Sequence, residues 1–453
     1  MKERENFGSR FAVIMAMAGS AIGLGNIWRF PYMVGEYGGA AFIIIYILAS
    51  FFLALPIFLS ESIIGRRSRS NTFGAMRKLA PGSRWKWLGL LIAFTPLLLL
   101  SYYSVVGGWA VEYLFKALAF EFTTSSSEEI STMFQTFTEN GWMSVIMHTL
   151  FLAMVAIVIV GGVKKGIEKF SNITMPVLFV MIVIIAVYSV LLPGAGAGVD
   201  YLLKPDFSKI NLSVITAAMG QSFYSLSLGV GTILIYSSYV RKDENLMVSG
   251  VGTAIFDLFF AILAGVAVMP AVFAAGIAPG AGPGLVFETL PYIFSKMSGD
   301  VSWLSGLIAI IFFLSILVAA LSSAISIMEA CVAYFCEERN MSRRNSTLLV
   351  FFIMWALGVL CALSFGPLKR VIFLGRNIFD LMDGLCSNIL MPLGGLLFCL
   401  FAGWKMTSSD VRDEFTNGGT LRFNSAIFGF VLFLIRFVAP VTIILIFVTN
   451  LLI

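Results

Sequence analysis

Apolar runs of about 20 residues or more recur along the whole chain, and they restrict it to one kind of solvent. In hydrocarbon every backbone N–H and C=O needs an internal partner, so such runs fold as membrane-crossing helices. Of the 453 residues, 59% are hydrophobic and only 12% charged. That is half the ~25% charged content of an ordinary soluble domain. Eleven spans are predicted, at roughly 10–34, 39–65, 87–117, 143–162, 169–192, 211–239, 245–275, 302–336, 346–364, 376–403 and 421–451.

The net charge of +5 sits largely in loops and bears on topology, not on nucleic-acid binding. Lys2, Arg4 and Arg10, the loop after span 2 (Arg66, Arg67, Arg69, Arg77, Lys78, Arg84, Lys86), and later Lys164, Lys165, Arg241, Lys242, Arg343 and Arg344 all fall on one side. The loop EFTTSSSEEISTMFQTFTEN after span 3 carries no basic residue. The N-terminus is therefore placed in the cytoplasm and Ile453 outside, with Lys369 and Arg370 as a local exception. No cleavable signal peptide is expected from the opening MKERENFGSRF. Cys331, Cys336, Cys361, Cys386 and Cys399 form neither a disulfide framework nor a metal-ligand pattern, and the lone His148 cannot build a metal site. The outer segment 276–301 mixes turn residues with Leu285, Val286, Phe287 and Leu290, and reads as a hairpin cap packed on the bundle.

Two spans are interrupted. Span 1 contains Gly19-Ser20-Ala21-Ile22-Gly23-Leu24-Gly25-Asn26-Ile27-Trp28-Arg29-Phe30-Pro31. Its glycines either allow close helix packing or let the helix unwind and expose binding backbone. Span 6 is broken by Gln221-Ser222-Phe223-Tyr224-Ser225-Leu226-Ser227-Leu228-Gly229-Val230-Gly231. Span 1 opens spans 1–5 and span 6 opens spans 6–10. Breaks at corresponding positions in two halves point to an inverted-repeat transporter and to its binding site.

The motifs GSAIGLGNIWRFPY in span 1, QSFYSLSLGVG and SSYVRKD in span 6, and LVAALSSAISIME in span 8 resemble the neurotransmitter:sodium symporters. The likeness is strongest to their prokaryotic amino-acid members, the leucine, tryptophan and tyrosine carriers, and it runs from Arg4 to the chain's end. The family's leucine carrier is the reference case for this broken-helix geometry. The resemblance implies an all-α polytopic membrane protein of eleven transmembrane helices. It would be one transporter domain over 1–453, with a 5+5 inverted repeat (LeuT-like) and broken helices 1 and 6. The repeats would cover about 10–192 and 211–403, followed by an extra helix at about 421–451; the family's usual twelfth helix is absent.

The resemblance also implies a site. Substrate would contact Ala21, Gly23, Leu24, Gly25, Leu99, Tyr103, Tyr224, Ser225, Ser227, Val230, Ser323 and Ile327. The Leu24 and Gly25 N–H groups and the Tyr103 hydroxyl would face a carboxylate. Gly23 stands where monoamine carriers place an aspartate, which favours an amino acid over a bare amine. Val230 replaces a phenylalanine of the leucine carrier, so the wall is smaller and a large apolar or aromatic side chain is favoured. Sodium prefers oxygen ligands, by analogy with the hard divalent cations. A first ion would use Ala21, Asn26, Ser225, Asp257 and the substrate carboxylate. A second would use Gly19, Ile22, Ala319, Ser322 and Ser323. Asp257 lies mid-membrane, where a carboxylate is functional by default. It stands where chloride-dependent members have asparagine, with Ala261 one turn on where they have serine, and Tyr46, Gln221 and Ser225 match their other chloride ligands. Asp257 is thus read as a fixed substitute for the anion, against the alternative of a proton-carrying or merely buried acid. Arg29 and Asp383 match an outer gate pair. Arg4 and Glu337 match an inner one, with Phe7 in place of tryptophan and with Ser238 and Tyr239 nearby.

The function expected is symport of sodium with an apolar or aromatic L-amino acid, without chloride, across a bacterial-type cytoplasmic membrane. The partners are the amino acid and the bilayer; no catalytic residue and no nucleic acid is expected. A non-transporting amino-acid receptor is the alternative. An intramembrane enzyme would need a nucleophile–base pair or a metal cluster within the spans, and none is found. A channel would show no saturating amino-acid dependence, and no phosphate-binding Gly-x-x-x-x-Gly-Lys-Ser/Thr loop is present.

Overall fold

The computed structural model describes residues 6–277, 286–296 and 302–452. Among these the chain is helix and loop, with one isolated bridge between Phe373 and Arg376. Nine described helices are long and apolar enough to cross a bilayer: Ala40–Ser68, Trp85–Leu118, Gly141–Val160, Val163–Val190, Leu246–Ala274, Trp303–Glu338, Arg343–Leu363, Ile378–Lys405 and Arg422–Thr449. They correspond to spans 2–5 and 7–11. A tenth is the pair Arg10–Ala21 and Gly25–Glu36, bent by 54°, which is span 1. Span 6 falls short of that measure because its break leaves Leu212–Ser225 and Thr232–Ser237, of 14 and 6 residues. The expected count of eleven therefore rests on joining these two pieces.

Proline shapes these rods. Widened π turns at Gly25–Arg29, Ser50–Ala54, Leu385–Leu390 and Leu434–Val438 are each followed by one residue and then Pro31, Pro56, Pro392 or Pro440. A proline offers no N–H and its ring crowds the carbonyl four residues back. Letting the preceding turn bond five residues apart absorbs that mismatch without ending the helix.

Span 3 is the central post, with 78% of its most apolar stretch buried, whereas spans 5, 9 and 11 bury 39% and turn apolar faces outward. Ile157, Ile173, Val177 and Val180 are among the exposed side chains of spans 4 and 5, as expected of surfaces facing lipid. The face opposite the basic loops is covered by helix Gly196–Leu203, whose Tyr201 hydroxyl donates to the Gly35 carbonyl at 2.8 Å. Helix Ser127–Glu139 lies on the same face. Its sequence is polar and was expected to be loop; a capping box between Ser126 and Glu129 starts it. In the cap segment, Val286, Phe287 and Leu290 are buried, and Phe287 packs against Trp109, Tyr113 and Phe134. Leu285 lies outside the described residues. Lys369, the exception to the charge rule, stands 3.6 Å from Glu139 on this face.

The basic face is latched by ion pairs. Arg66 is 1% exposed at the end of span 2. It bonds the Glu414 carboxylate, the carbonyls of Glu244 and Glu414, and Asn417. Arg67 pairs with Asp410, and Arg10 with Glu244 at 2.8 Å. Glu414 and Asp410 belong to helix Ser408–Thr416 between spans 10 and 11. Removing one member of a buried pair strands the other charge, which costs about 3–5 kcal/mol. Arg66→Met is expected to lower the thermal unfolding midpoint of the detergent-solubilised protein far more than Arg77→Met. The Arg77–Glu338 pair, with Arg77 half exposed, is worth only ~0–1 kcal/mol. Equal shifts for the two variants would show that the Arg66 latch is not stabilising.

Candidate functional site at two helix breaks

Span 1 loses helical form at Ile22, whose φ and ψ are −73° and 104°, and resumes at Gly25. Several of the groups at this break find partners. The Gly23 N–H donates to Asn26 Oδ1 at 3.2 Å and the Leu24 N–H to the Tyr103 hydroxyl at 3.4 Å. The Ser20 carbonyl accepts from both Ser227 and Ser323, at 2.9 and 3.0 Å. The Gly25 carbonyl accepts from Gln221 at 2.9 Å. A break in apolar surroundings persists only because neighbouring spans supply such partners.

Span 6 breaks after Ser225. Ser227, Gly229 and Gly231 adopt positive φ of 52°, 84° and 78°. Gly229 allows a close approach: a Cβ there would strike the Met391 carbonyl of span 10. Its N–H donates to Glu61 Oε1 at 2.8 Å. Glu61 is a fully buried acid of span 2, and residue-by-residue reading of the sequence missed it. The charge of a lone glutamate inside an apolar span was its one visible signal.

Beside these breaks Asp257 is 1% exposed and gathers the polar groups singled out in the sequence. Asn26 Nδ2 donates to Asp257 Oδ1 at 2.8 Å and to Ser225 Oγ at 3.0 Å. The Ser225 hydroxyl lies 2.9 Å from each Asp257 carboxylate oxygen, and the Tyr46 hydroxyl donates to Asp257 Oδ2 at 3.2 Å. Spans 1, 2, 6 and 7 thus meet at one carboxylate. On the other side of span 1, the Ser322 hydroxyl lies 2.8 Å from the Ala319 carbonyl and 3.3 Å from that of Ile22. Ser323 lies 3.4 Å from the Ile22 carbonyl. Gly19 stands against Ser322, with room for only an ordinary contact. The second cluster is made of oxygens alone; in the first, the oxygens of Ser225, Tyr46 and Asp257 meet the Asn26 amide, which turns its nitrogen to Ser225 and Asp257, and each cluster carries at most one formal charge. That donor set fits a monovalent hard cation, and no group of three or more His, Cys, Asp or Glu that could hold a heavier metal occurs among the described residues.

Between the clusters lies a cavity of about 30 Å³ lined by Ala21, Gly23, Leu24, Gly25, Leu99, Tyr103, Tyr224, Ser227, Val230, Ser323, Ile327 and Met391. Every residue expected to contact substrate is there except Ser225, whose hydroxyl turns to Asp257. Met391 was not foreseen. A Cβ at Gly23 would strike the Ser323 hydroxyl and lie 3.0 Å from that of Tyr103, so an aspartate has no room at this position. A second cavity of about 340 Å³ opens on the outer side, lined in part by Arg29, Tyr32, Glu36, Tyr224, Asn388 and Met391.

The expected outer pair does not meet. The Arg29 guanidinium sits over the Tyr224 ring, 4.6 Å from its centroid, and Asp383 accepts from Ser387 at 2.8 Å. At the inner end Arg4 lies outside the described residues. Glu337 accepts from the Asn71 backbone at 2.8 Å and from its side chain at 3.0 Å. Tyr239 donates to Glu329 at 2.7 Å, and Phe7 packs edge-on against Tyr236 and Tyr239. Glu329 is fully buried and pairs with Arg343, whose Nε also bonds the Ile159 carbonyl at 2.7 Å. This tie between spans 4, 6, 8 and 9 was also missed.

The model of the sodium:neurotransmitter symporter family matches residues 4–129 and 120–453. The uncharacterized sodium-dependent transporter YhdH of Bacillus subtilis is 36% identical over 445 residues, 97% of this chain and 96% of that protein. An uncharacterized sodium-dependent transporter of Haemophilus influenzae is 35% identical, over 99% of each chain. The crystal structure of MhsT in complex with L-phenylalanine superposes with a TM-score of 0.89 at 39% identity, covering 99% of this chain and all of that one. The family match over nearly the whole chain, with the relatives and the superposed bundle, makes this chain a member of the sodium:neurotransmitter symporter family, whose proteins are transporters and not enzymes.

Proposed function

We propose that this protein carries an apolar or aromatic L-amino acid into the cell together with sodium, by alternating access, and that it does so without chloride. The observation that carries the reading is the junction of Asn26, Ser225 and Asp257 at the helix breaks beside the central cavity. Spans 1–5 and 6–10 serve as the two repeats, the N-terminus faces the cytoplasm and the C-terminus the outside. The neighbour MhsT is in complex with L-phenylalanine, which supports an amino-acid substrate of that class.

In this reading one sodium lies among Ala21, Asn26, Ser225 and Asp257, displacing the N–H and O–H donors that now bridge their oxygens. The substrate carboxylate completes its shell and faces the Leu24 and Gly25 N–H groups and the Tyr103 hydroxyl. A second sodium lies among Gly19, Ile22, Ala319, Ser322 and Ser323. The Asp257 carboxylate, held by Tyr46 and Ser225, supplies the negative charge that an anion would otherwise bring. Arg29 closes toward Asp383 from outside. Arg4, Glu337 and the Tyr239–Glu329–Arg343 tie close the inside.

Three measurements test this. Proteoliposomes with an imposed sodium gradient are expected to accumulate labelled phenylalanine or leucine, undiminished when gluconate replaces chloride; potassium in place of sodium is expected to abolish uptake. A large loss in gluconate overturns the anion-substitute role, and uptake of no amino acid overturns the whole reading. Asp257→Asn removes a charged acceptor worth about 1.5–3 kcal/mol to its partners. It is expected to reduce sodium-driven uptake about tenfold or more; unchanged uptake would make Asp257 merely a buried acid. Glu329→Gln keeps an acceptor for Tyr239 but strips Arg343 of its counter-charge. Severalfold faster hydrogen exchange is expected at Thr232–Ser237 and at the start of span 9, and unchanged exchange would remove this tie from the inner closure.

A further inference from the structure

The central cavity is too small for its cargo. Its volume of about 30 Å³ is less than a tenth of the outer cavity's 340 Å³, so a large side chain needs added room there. Some wall must yield, and most are anchored. Tyr103 accepts the Leu24 N–H. Tyr224 lies against Gly25, where a Cβ would come within 3.1 Å of its ring, and under the Arg29 guanidinium. Ser227 and Ser323 are both bound to the Ser20 carbonyl. Val230 and Ile327 are β-branched and stiff at χ1.

Met391, which shares its border on two cavities with Tyr224, combines that position with a fixed backbone and a mobile side chain. It is 2% exposed and borders both the central cavity and the 340 Å³ outer one, so open space lies behind it. Its backbone is fixed, because its carbonyl abuts Gly229 at the break of span 6 and Pro392 follows it. Its side chain has three rotatable bonds and a polarizable thioether, the property that lets methionine fill or vacate irregular space.

We propose that Met391 of span 10 is a specificity-determining residue, a yielding wall whose side chain swings into the outer cavity to admit large apolar amino acids and returns to seal smaller ones. This rests on the amino-acid transport reading and deepens it. The class of cargo follows: long or flat apolar side chains that can push the thioether aside, over small ones that leave it in place.

The test is a sodium-dependent binding series with alanine, leucine, phenylalanine and tryptophan on the full-length purified protein and on Met391→Ala, Met391→Leu and Met391→Ile. Met391→Ala is expected to raise the tryptophan-to-alanine affinity ratio about tenfold, the scale of a methylene or two in an apolar pocket. Met391→Ile, close in volume but stiff, is expected to lower that ratio by a similar factor, and Met391→Leu to fall between. Retained alanine binding reports a folded site in each variant. An unchanged ratio in both Met391→Ala and Met391→Ile, or an equal loss for every amino acid, overturns the assignment while leaving the transport reading intact. A wild-type protein that binds none of the four overturns the transport reading and this assignment together.

Discussion

A broken helix in hydrocarbon stands or falls on where its freed backbone groups go, and the rest of this structure is arranged around that requirement. The neighbours provide the answer: Tyr103 from span 3, Glu61 from span 2, Gln221 and Ser227 from span 6, and Ser323 from span 8. Each bond is modest in net terms, about 0.5–1.5 kcal/mol. Leaving the same groups unpaired in an apolar interior would cost more than making them gains. The groups that stabilise the breaks are therefore also the groups that define the cavity.

Electrostatics follows the same logic at two depths. Asp257 is tolerated mid-membrane because Tyr46, Asn26 and Ser225 all direct donors at it. Glu329 is tolerated because Arg343 and Tyr239 face it. At the basic face Arg66 is enclosed by a carboxylate, two carbonyls and an amide oxygen. The charged minority of this chain thus marks where spans are tied to one another.

Much of this was legible in the sequence, for reasons that can be named. Span positions follow from length and apolarity, and the breaks from glycines and hydroxyls placed in runs that should have none. Most residues that line the central cavity stand in the motifs of spans 1, 6 and 8, joined by Leu99 and Tyr103 of span 3, while Met391 lies outside those motifs and Ser225 turns to Asp257. What escaped depends on which spans become neighbours, and a single sequence does not encode that locally. Glu61 has meaning only once span 2 lies beside Gly229. Glu329 and Arg343 lie 14 residues apart and meet because spans 8 and 9 turn back on each other. Met391 looks like any methionine in an apolar helix until span 10 is seen against the span 6 break. Arg29 and Asp383 match as a pair in sequence, and only the packing of the spans shows Arg29 over the Tyr224 ring and Asp383 with Ser387 instead.

Ser227 carries a last consequence. It is a non-glycine residue with φ of 52°, in a left-handed conformation that costs on the order of 1–3 kcal/mol. Its hydroxyl bond to the Ser20 carbonyl, worth about 0.5–1.5 kcal/mol net, offsets part of that cost. The left-handed turn of span 6 is therefore held in part by span 1, and losing the Ser20 bond would leave that strain uncompensated.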